Sequence, residues 1–427
     1  MSSLPSRHIV FATSGSLGDL HPFLALGGEL RRRGHRVTVA TNAAHEAHVA
    51  RAGLAFRHMR PDPDNTPAFH RRYMHPRSGG EFVYRHYLGP AIRHSYADLA
   101  EASRGADLLV SQSLMALAAP LVAASTGVPW VSAVLQPMSF FSLHERPNYL
   151  PFAPLSWLCG RSPELHGKVF GYVRQHTERW LDPVLALRAE LGIASRGHPL
   201  YEGQHSGRRV LAMFSPLLGA PQPDWPAATV QTGTALYLDE APALPDALRR
   251  FLARNDAPLA VFTLGSAASN DAGDFYADGL AAASALGMRA LLVTGGLSTT
   301  SSLPAPLPDN ALRIAYAPFE SVFPHAAVIV HSGGVATSFK ALRAGKPQLI
   351  VPHAHDQMDN ALRLRALGAA LVLPKRRAGR HALRAALARA LADERMRQAA
   401  DRLAGPSRAE DGVQAGCRAI EEALDHG

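Results

Sequence analysis

Short apolar runs, each followed by a glycine-containing turn and a helical pattern, recur along the chain. Residues 8–13 form the first such run, apolar positions recur at helical spacing in 23–30, and 36–40 are apolar again. We expect Pro22 to open this helix and Gly34 to end it. A strand–helix–strand order of this kind predicts a parallel sheet with right-handed crossovers.

The same pattern restarts in the second half of the chain. The segment VFATSGS at 10–16 is matched by VFTLGSA at 261–267. The fold class predicted is therefore α/β, with two Rossmann-like domains. Proline-rich residues separate the halves and read as a linker. The predicted boundaries are an N-terminal domain at 1–215, a linker at 216–230, a C-terminal domain at 231–405, and a C-terminal helix at 406–427 that packs back on the N-terminal domain.

The clearest strand–turn–helix unit lies at 328–351, VIVHSGGVATSFKALRAGKPQLIV. Gly333 and Gly334 let the backbone approach a ligand, and the N–H groups and dipole of the following helix favour an anion. His331, at the strand end, can add a hydrogen bond or a charge. The pattern indicates a phosphate site, and an ordinary turn that needs glycine is the alternative.

The first turn, SGSLGDLHP at 14–22, carries a carboxylate with two interpretations. Asp19 can be the N-cap of the following helix, which needs no function. It also follows a strand end, where open parallel sheets place their chemistry. The turn is not GxGxxG, which argues against a simple dinucleotide site.

Two stretches depart from the periodic pattern. Residues 60–100 have no clean period, and Asp62-Pro63-Asp64 there resembles a metal motif in letters only. Residues 138–158 are apolar and aromatic, with Phe140, Tyr149 and Phe152 among them, but prolines prevent one continuous helix. This stretch is either a loop packed on the core or the wall of an apolar pocket.

Composition narrows the choice of function. The chain has 427 residues, is 47% hydrophobic and carries a formal net charge of +9. That charge indicates a solvated basic surface, or else anionic ligands or an anionic membrane surface. No basic stretch interleaved with aromatics favours nucleic acid. Two cysteines, no signal-like start and no 18-residue apolar run lead us to expect a cytoplasmic protein, with peripheral membrane association as the alternative.

Four motifs in order resemble the family 1 glycosyltransferases of the GT-B fold, whose two Rossmann-like domains face each other across a cleft. They are SGSLGDLHP at 14–22, AYAP at 315–318, HSGGVAT at 331–337 and HDQ at 355–357. The segments QPDWP at 222–226 and DFYA at 274–277 resemble most closely the bacterial rhamnosyltransferases of rhamnolipid synthesis.

The resemblance implies roles for individual residues. Asp19 would be the catalytic base, with His21 as the second candidate. Tyr316 would stack on the nucleotide base, Asp356 and Gln357 would bind sugar hydroxyls, and Phe140, Phe141 and His144 would contact the acceptor. The remaining donor contacts would come from Gly15, Ser266, Ala317, His331, Gly333, Gly334, Val335, Ala336 and Thr337.

The implied reaction is a single inverting displacement. A base removes the proton of an acceptor hydroxyl, and the leaving diphosphate is stabilised by a helix N-terminus and His331 without a metal or cofactor. Plant relatives carry a ribose-binding carboxylate where this chain has Phe339, and its absence favours a dTDP-sugar, although some bacterial and sterol enzymes lack it and still use a UDP-sugar. The resemblance to the rhamnolipid enzymes implies dTDP-L-rhamnose as the donor. The predicted partners are this donor and a lipid-like hydroxylated acceptor.

Three alternatives stay open at this point. A UDP-glucose-dependent enzyme would act on a sterol, polyketide or other hydrophobic acceptor. A nucleotide-sugar epimerase would share the fold but needs no acceptor pocket. A non-catalytic partner subunit would not need Asp19, His331, Asp356 and Gln357 together.

Overall fold

The computed structural model describes residues 5–148, 150, 153–195, 197–238, 244–295 and 302–425. The chain divides into two compact units. The first takes in Met1–Tyr73, Arg77–Tyr237 and Asp411–Gly427, and the second Met74–Pro76 and Leu238–Glu410.

The first unit is built on a seven-stranded parallel sheet with the order β3-β2-β1-β4-β5-β6-β7. Its central strands are buried on both faces, so Ile9 and Phe11 pack into one apolar layer and Val10 and Ala12 into the other. The strands are β1 (His8–Ala12), β2 (Arg36–Thr41), β3 (Ala55–His58), β4 (Leu108–Gln112), β5 (Trp130–Val134), β6 (Val210–Ala212) and β7 (Thr229–Gln231).

Helices cover both faces of this sheet. They are α1 (Leu17–Arg32), α2 (Glu46–Arg51), α3 (Pro67–Tyr73), α4 (Gly79–Glu81), a π-helical segment (Phe82–Leu88), α5 (Ile92–Ala102), α6 (Ala119–Thr126), α7 (Ala153–Cys159), α8 (Pro163–Glu178) and α9 (Asp182–Glu190). Short 3₁₀ turns occupy Ala43–His45, Pro137–Phe140, Arg179–Leu181 and Glu202–Gln204.

The second unit repeats the design with a six-stranded parallel sheet of order β10-β9-β8-β11-β12-β13. Its strands are β8 (Leu259–Thr263), β9 (Arg289–Val293), β10 (Ala311–Ile314), β11 (Val328–His331), β12 (Gln348–Ile350) and β13 (Ala370–Val372). Its helices are α10 (Asp246–Ala253), α11 (Gly265–Ala268), α12 (Phe275–Ser284), α13 (Phe319–Val322), α14 (Val335–Arg343), α15 (Gln357–Ala366), α16 (Arg380–Ala392) and α17 (Glu394–Ala409), with 3₁₀ turns at Ser269–Asp271, Phe323–His325 and Lys375–Arg377. In this last turn Arg376 and Arg377 are exposed, whereas Lys375 is partly buried and pairs with Asp271 at 2.5 Å.

The two sheets have the same strand order when β1 of the first sheet is aligned with β8 of the second. In each sheet the direction of winding reverses beside its first strand, between β1 and β4 and between β8 and β11. Open parallel sheets bind ligands at the carboxyl ends of the strands at such a switch point. The prediction of two Rossmann-like α/β domains is confirmed, and the switch points are the places to look for chemistry.

Helix α1 differs from its prediction at its start. It begins at Leu17 with Ser16 as N-cap, so Pro22 lies inside the helix and does not open it. The prediction was wrong because the capping residues around Asp19 define the start one and a half turns earlier. Asp19 is correspondingly not the N-cap but the third residue of the helix.

The linker boundary also differs. Residues 229–231 form strand β7, which pairs with β6, so the segment predicted as a linker at 216–230 ends inside the first sheet. The first unit continues to Tyr237. A three-residue edge strand is too short to leave a periodic signal in a proline-rich segment.

The chain ends with helix α18 (Gly412–Asp425), which belongs to the first unit and packs on α1. Gly416 permits this contact, because a Cβ there would come within 2.7 Å of Leu26. Arg33, the C-cap of α1, pairs with Glu421 on α18 at 2.5 Å. Residues 406–409, predicted as part of this last helix, instead finish α17.

Residues 60–100 are largely helical although they have no clean period, and the 138–158 stretch is broken as its prolines predict. Tyr149 and Phe152 lie outside the described residues. No helix in the described part of the chain combines the length and apolar character that a bilayer crossing needs.

Candidate active site

Asp19 lies at the switch point of the first sheet, in the first turn of α1. Ser16 and Asp19 form a capping box, in which each side chain accepts from the backbone at the other end of the turn. Gly15 has φ +109°, and a Cβ on it would come within 2.5 Å of the Asp19 carboxylate. Only glycine fits here, because the turn wraps closely around the carboxylate.

The Asp19 carboxylate is bonded on both oxygens. Oδ2 accepts from the Ser16 backbone N–H at 2.8 Å and from the Ser16 hydroxyl at 3.0 Å. Oδ1 accepts from the Gln112 side-chain amide at 2.7 Å. Gln112 ends the neighbouring strand β4, so the parallel sheet brings together two residues that are 93 positions apart.

The electrostatics suit a base that titrates above the usual range of a carboxyl group. Burial raises the pKa of Asp19, while hydrogen bonds from Ser16 and Gln112 and the nearby His45 oppose that rise. Burial also lowers the pKa of His45, whose ring bonds the Gly15 carbonyl at 3.0 Å. A partly buried carboxylate in such a setting can accept a proton from a hydroxyl.

His21, the second candidate base, lies on a different side of α1. Residues two apart on a helix do not share a face. The His21 ring stacks on Tyr237, with ring centroids 5.2 Å apart. The structure therefore brings Gly15 and Asp19 together and sets His21 apart from them.

The glycine turn of the second unit follows β11 at the other switch point. Gly333 has φ +94°, and a Cβ on it would come within 2.8 Å of the Gln357 carbonyl oxygen. Gly334 is the N-cap of α14 and has open space around it. The N–H groups of Val335, Ala336 and Thr337 form the first turn of this helix, which is a geometry suited to a phosphate.

His331 supports this turn from beneath. Its Nδ1 accepts the Gly333 backbone N–H at 3.1 Å, and its Nε2 bonds Gln348 Oε1 at 2.8 Å. The ring is 1% exposed, and burial lowers the pKa of His331 to about 4. The expectation that His331 contacts the diphosphate directly does not fit this arrangement, because both ring nitrogens are already engaged and the ring is neutral at pH 7.

Asp356 and Gln357 lie at the start of α15, directly against the glycine turn. Asn360 joins them to it, because its amide donates to the Gly333 carbonyl at 3.0 Å and to Asp356 Oδ2 at 2.7 Å. Gln357 Oε1 accepts from the His353 N–H at 2.8 Å. Sequence reasoning missed Asn360, and its only signal was a position one helical turn after Asp356.

The other expected donor contacts lie at neighbouring strand ends. Ser266 is in α11 after β8, and the Ser332 hydroxyl bonds the Leu264 carbonyl at 2.7 Å, which ties the β8 and β11 turns together. Tyr316 follows β10 and is 57% exposed, as a stacking platform would need to be, while Ala317 beside it is buried. Phe339 is fully buried in the core, so its side chain does not face a ligand.

The residues expected to bind the acceptor mostly pack against other aromatic rings. Phe140 stacks on Trp225 with centroids 4.2 Å apart, and Phe141 meets Tyr201 edge-on at 4.9 Å. His144 is exposed. For Phe140 and Phe141 this packing favours the first of the two interpretations of residues 138–158, a loop packed on the core, over the wall of an apolar pocket.

An apolar cavity lies elsewhere in the first unit, between α6 and the segment that follows α9. Its empty space is about 610 Å³, including its opening to solvent. Gln112, the partner of Asp19, is one of its lining residues. Most of the others are apolar and include Leu114, Leu117, Leu121, Trp130, Val184 and Ile193.

Among the described residues, no group of three or more His, Cys, Asp or Glu side chains is placed to hold a metal ion. Asp62, from the DxD letters, instead bonds His58 at 2.8 Å and the Ala43 N–H at 2.7 Å.

Two family models match parts of the chain. Residues 9–84 match the glycosyltransferase family 28 N-terminal domain, and residues 293–414 match the erythromycin biosynthesis protein CIII-like C-terminal domain. The first range contains Asp19, and the second contains the glycine turn and Asp356.

The chain is also similar to whole proteins. It is 31% identical to the O-mycaminosyltylonolide 6-deoxyallosyltransferase of Streptomyces fradiae, over 97% of each chain. It is 27% identical to the sterol 3-beta-glucosyltransferase of Candida albicans, over 99% of this chain but only 28% of that protein's length. The solved spinosyn rhamnosyltransferase SpnG complexed with thymidine diphosphate superposes with a TM-score of 0.67 at 24% identity, covering 97% of this chain and all of that one.

Proposed function

The chain belongs to the glycosyltransferase family of the O-mycaminosyltylonolide 6-deoxyallosyltransferase, and from that premise we propose that it transfers L-rhamnose from dTDP-L-rhamnose to a hydroxyl of a lipid-like acceptor. The observation that carries the chemistry is the Asp19 carboxylate, oriented by three hydrogen bonds at a switch point. The displacement we propose inverts the anomeric centre. Asp19 takes the hydroxyl proton, the hydroxyl oxygen bonds to the anomeric carbon, and the diphosphate leaves with the electron pair of the broken C–O bond.

The second unit supports the donor half of the proposal. The first-turn N–H groups of α14 would receive the diphosphate, where they stabilise its growing charge without reorganising. Asp356, oriented by Asn360, would bind sugar hydroxyls, and Tyr316 would stack on the base. A thymidine nucleotide is supported by the complexed SpnG. A sugar of the rhamnose type is supported by that protein's name and by the resemblance of residues 222–226 and 274–277 to the rhamnolipid enzymes.

The apolar cavity beside Gln112 supports the acceptor half. Its walls are mostly aliphatic, and Gln112, which bonds Asp19, is one of its lining residues, so we place the acceptor hydroxyl at Asp19 and its tail in this cavity. We assign the tail to this cavity because the aromatic partners of Phe140 and Phe141 already occupy the stretch first expected to hold it. Hydrophobic acceptors also appear in the names of the sterol glucosyltransferases.

A chain-length series of hydroxyacyl acceptors tests this proposal. Each buried methylene contributes about 0.8 kcal/mol, or roughly a fourfold gain in affinity, until the cavity is full. The assay follows labelled sugar from dTDP-rhamnose and from UDP-glucose into product. Preference for UDP-glucose would overturn the donor half, and a flat response to length would overturn the acceptor half.

A pair of variants on α6 sharpens the test. Ala124 lines the cavity, and its neighbour Ser125 is exposed and does not line it. Ala124→Trp should flatten the length dependence, whereas Ser125→Trp should leave it as in the wild type. Equal effects of the two variants on the length dependence would contradict the assignment of the acceptor tail to this cavity.

Peripheral membrane association is part of the same proposal. A net charge of +9 would favour an anionic bilayer, where lipid-like acceptors reside. Co-sedimentation with vesicles containing anionic lipid, lost at high salt, is the expected result, and equal binding to neutral vesicles would contradict it.

A further inference from the structure

Gln112 is held at both ends of its side chain. Its Oε1 accepts from the Thr13 hydroxyl at 2.6 Å and from the Ser14 backbone N–H at 3.3 Å. These two donors fix which end of the amide is oxygen, so the NH₂ end must face Asp19. The side chain is 3% exposed, and a buried amide with three partners has little freedom to turn.

The hydrogen bonds of Asp19 leave one acceptor position. An ionised carboxylate offers about four lone-pair positions, two on each oxygen. Ser16 fills both positions on Oδ2 with its N–H and its hydroxyl, and Gln112 fills one on Oδ1. The remaining position is therefore on Oδ1, the atom that Gln112 holds.

We propose that Gln112 is a positioning residue for the transfer reaction, which orients Asp19 so that Oδ1 receives the acceptor proton and which favours the ionised carboxylate. This inference rests on the proposed function. During transfer the proton moves from the acceptor hydroxyl to Oδ1 as the new C–O bond forms and the bond to the leaving diphosphate breaks.

The groups around Asp19 define how activity should respond to pH. His45 is the nearby basic group, and burial favours its neutral form. Tyr84, from the π-helical segment, also lies within electrostatic range, and burial raises the pKa of its hydroxyl well above its ordinary value, so it stays neutral. The base must be ionised to work, so activity rises with pH as Asp19 loses its proton. A donor such as Gln112 moves that rise to lower pH.

Gln112→Met removes the donor while keeping the length of the side chain. The acidic limb of the kcat/KM profile should move up by about one pH unit, and kcat should fall by about 10- to 100-fold, as expected for a hydrogen bond to a charged group. Affinity for dTDP, measured by calorimetry, should not change, because the proposed nucleotide contacts lie in the second unit. Gln231→Met is the matched control, since Gln231 is a half-buried glutamine of the same unit whose amide donates to the backbone carbonyls of Phe214 and Gly219, and it does not line the acceptor cavity.

A second variant and a second measurement keep the inference open to refutation. Thr13→Val retains Gln112 but removes the shorter of the two hydrogen bonds to its oxygen, and it should shift the limb in the same direction by less. Carboxyl ¹³C NMR of aspartate-labelled protein, assigned with Asp19→Asn, should show Asp19 titrating at higher pH in Gln112→Met. An unmoved limb and an unmoved Asp19 resonance would overturn the role of Gln112, whereas a wild-type enzyme that transfers no sugar to any acceptor would overturn the proposed function.

Discussion

The neutral state of His331 leads to a measurable dependence of stability on pH. The ring is fully enclosed, and burial lowers its pKa to about 4 from an ordinary value of 6.5. Between those two values the unfolded chain binds a proton that the folded chain does not. Folded stability from this residue is therefore complete above pH 6.5 and is lost as pH falls towards 4.

The size of the loss follows from the pKa. A difference of about 2.5 between folded and unfolded states corresponds to roughly 3 kcal/mol at the acid end, and to about 2 kcal/mol already at pH 5. His331→Asn removes the titration, while its side-chain oxygen can still accept the Gly333 N–H. The variant should be less stable than wild type at pH 7.5, and this deficit should shrink by about 2 kcal/mol at pH 5.

Urea unfolding at the two pH values, followed by circular dichroism, gives this difference. Comparing each variant with wild type at the same pH cancels the titration of other groups, including the buried His205 and His353, whose pKa values burial also lowers to about 4. His325→Asn is the control, because His325 is an exposed histidine of the same unit.

One result would refute the role of His331 as a neutral side chain that supports the glycine turn. If dTDP binding by the wild type tightened as pH fell from 8 to 6, and His331→Asn lost that gain, then His331 would be cationic beside the ligand. Titration of the dTDP phosphate is common to both proteins and cancels in the comparison. Equal pH dependence of binding in the two proteins is the expected outcome.

Three further predictions concern the reaction and its donor. Asp19→Asn should lower kcat by about 10²- to 10⁴-fold while dTDP still binds, since it removes a general base, and near-normal turnover would promote His21 instead. Asn360→Ala should raise KM for the nucleotide sugar by about tenfold or more, because it releases both Asp356 and the Gly333 carbonyl; an unchanged KM would separate Asn360 from the donor site. Transfer should persist in excess EDTA, because the N-terminus of α14 can stabilise the leaving diphosphate; activity lost in chelator and restored by magnesium would contradict this.

Local signals in the sequence predicted the glycine turns, but they did not predict the distant side chains that hydrogen-bond the residues of those turns. Strand–glycine–helix patterns located the switch points, because turn chemistry is written in adjacent residues. Gln112 lies 93 residues from Asp19, and Gln348 lies 17 residues from His331, so only the strand register brings each pair together. A glutamine at a strand end carries no local mark of such a role.

The other departures from the sequence predictions have two different causes. Phe140 and Phe141 looked like pocket walls because their partners, Trp225 and Tyr201, are distant in sequence. The start of α1 did have a local signal, because Ser16 and Asp19 have the spacing of a capping box. Pro22 was preferred as the start because proline is common in a first turn, yet here it lies deeper in the helix.

The two sheets place an uncharged supporting side chain at equivalent strand ends. Gln112 ends β4 and His331 ends β11, and each is a buried, uncharged side chain that hydrogen-bonds the group beside it. A buried charge at either place would cost several kcal/mol, whereas an uncharged amide or imidazole with partners at both ends does not. Charge is then left to Asp19 in one unit and to a helix N-terminus in the other. Tyr84 stays neutral, but His45 and His331 also bind protons as pH falls, so the part of the acidic limb that moves in Gln112→Met is the part that should report the ionisation of Asp19.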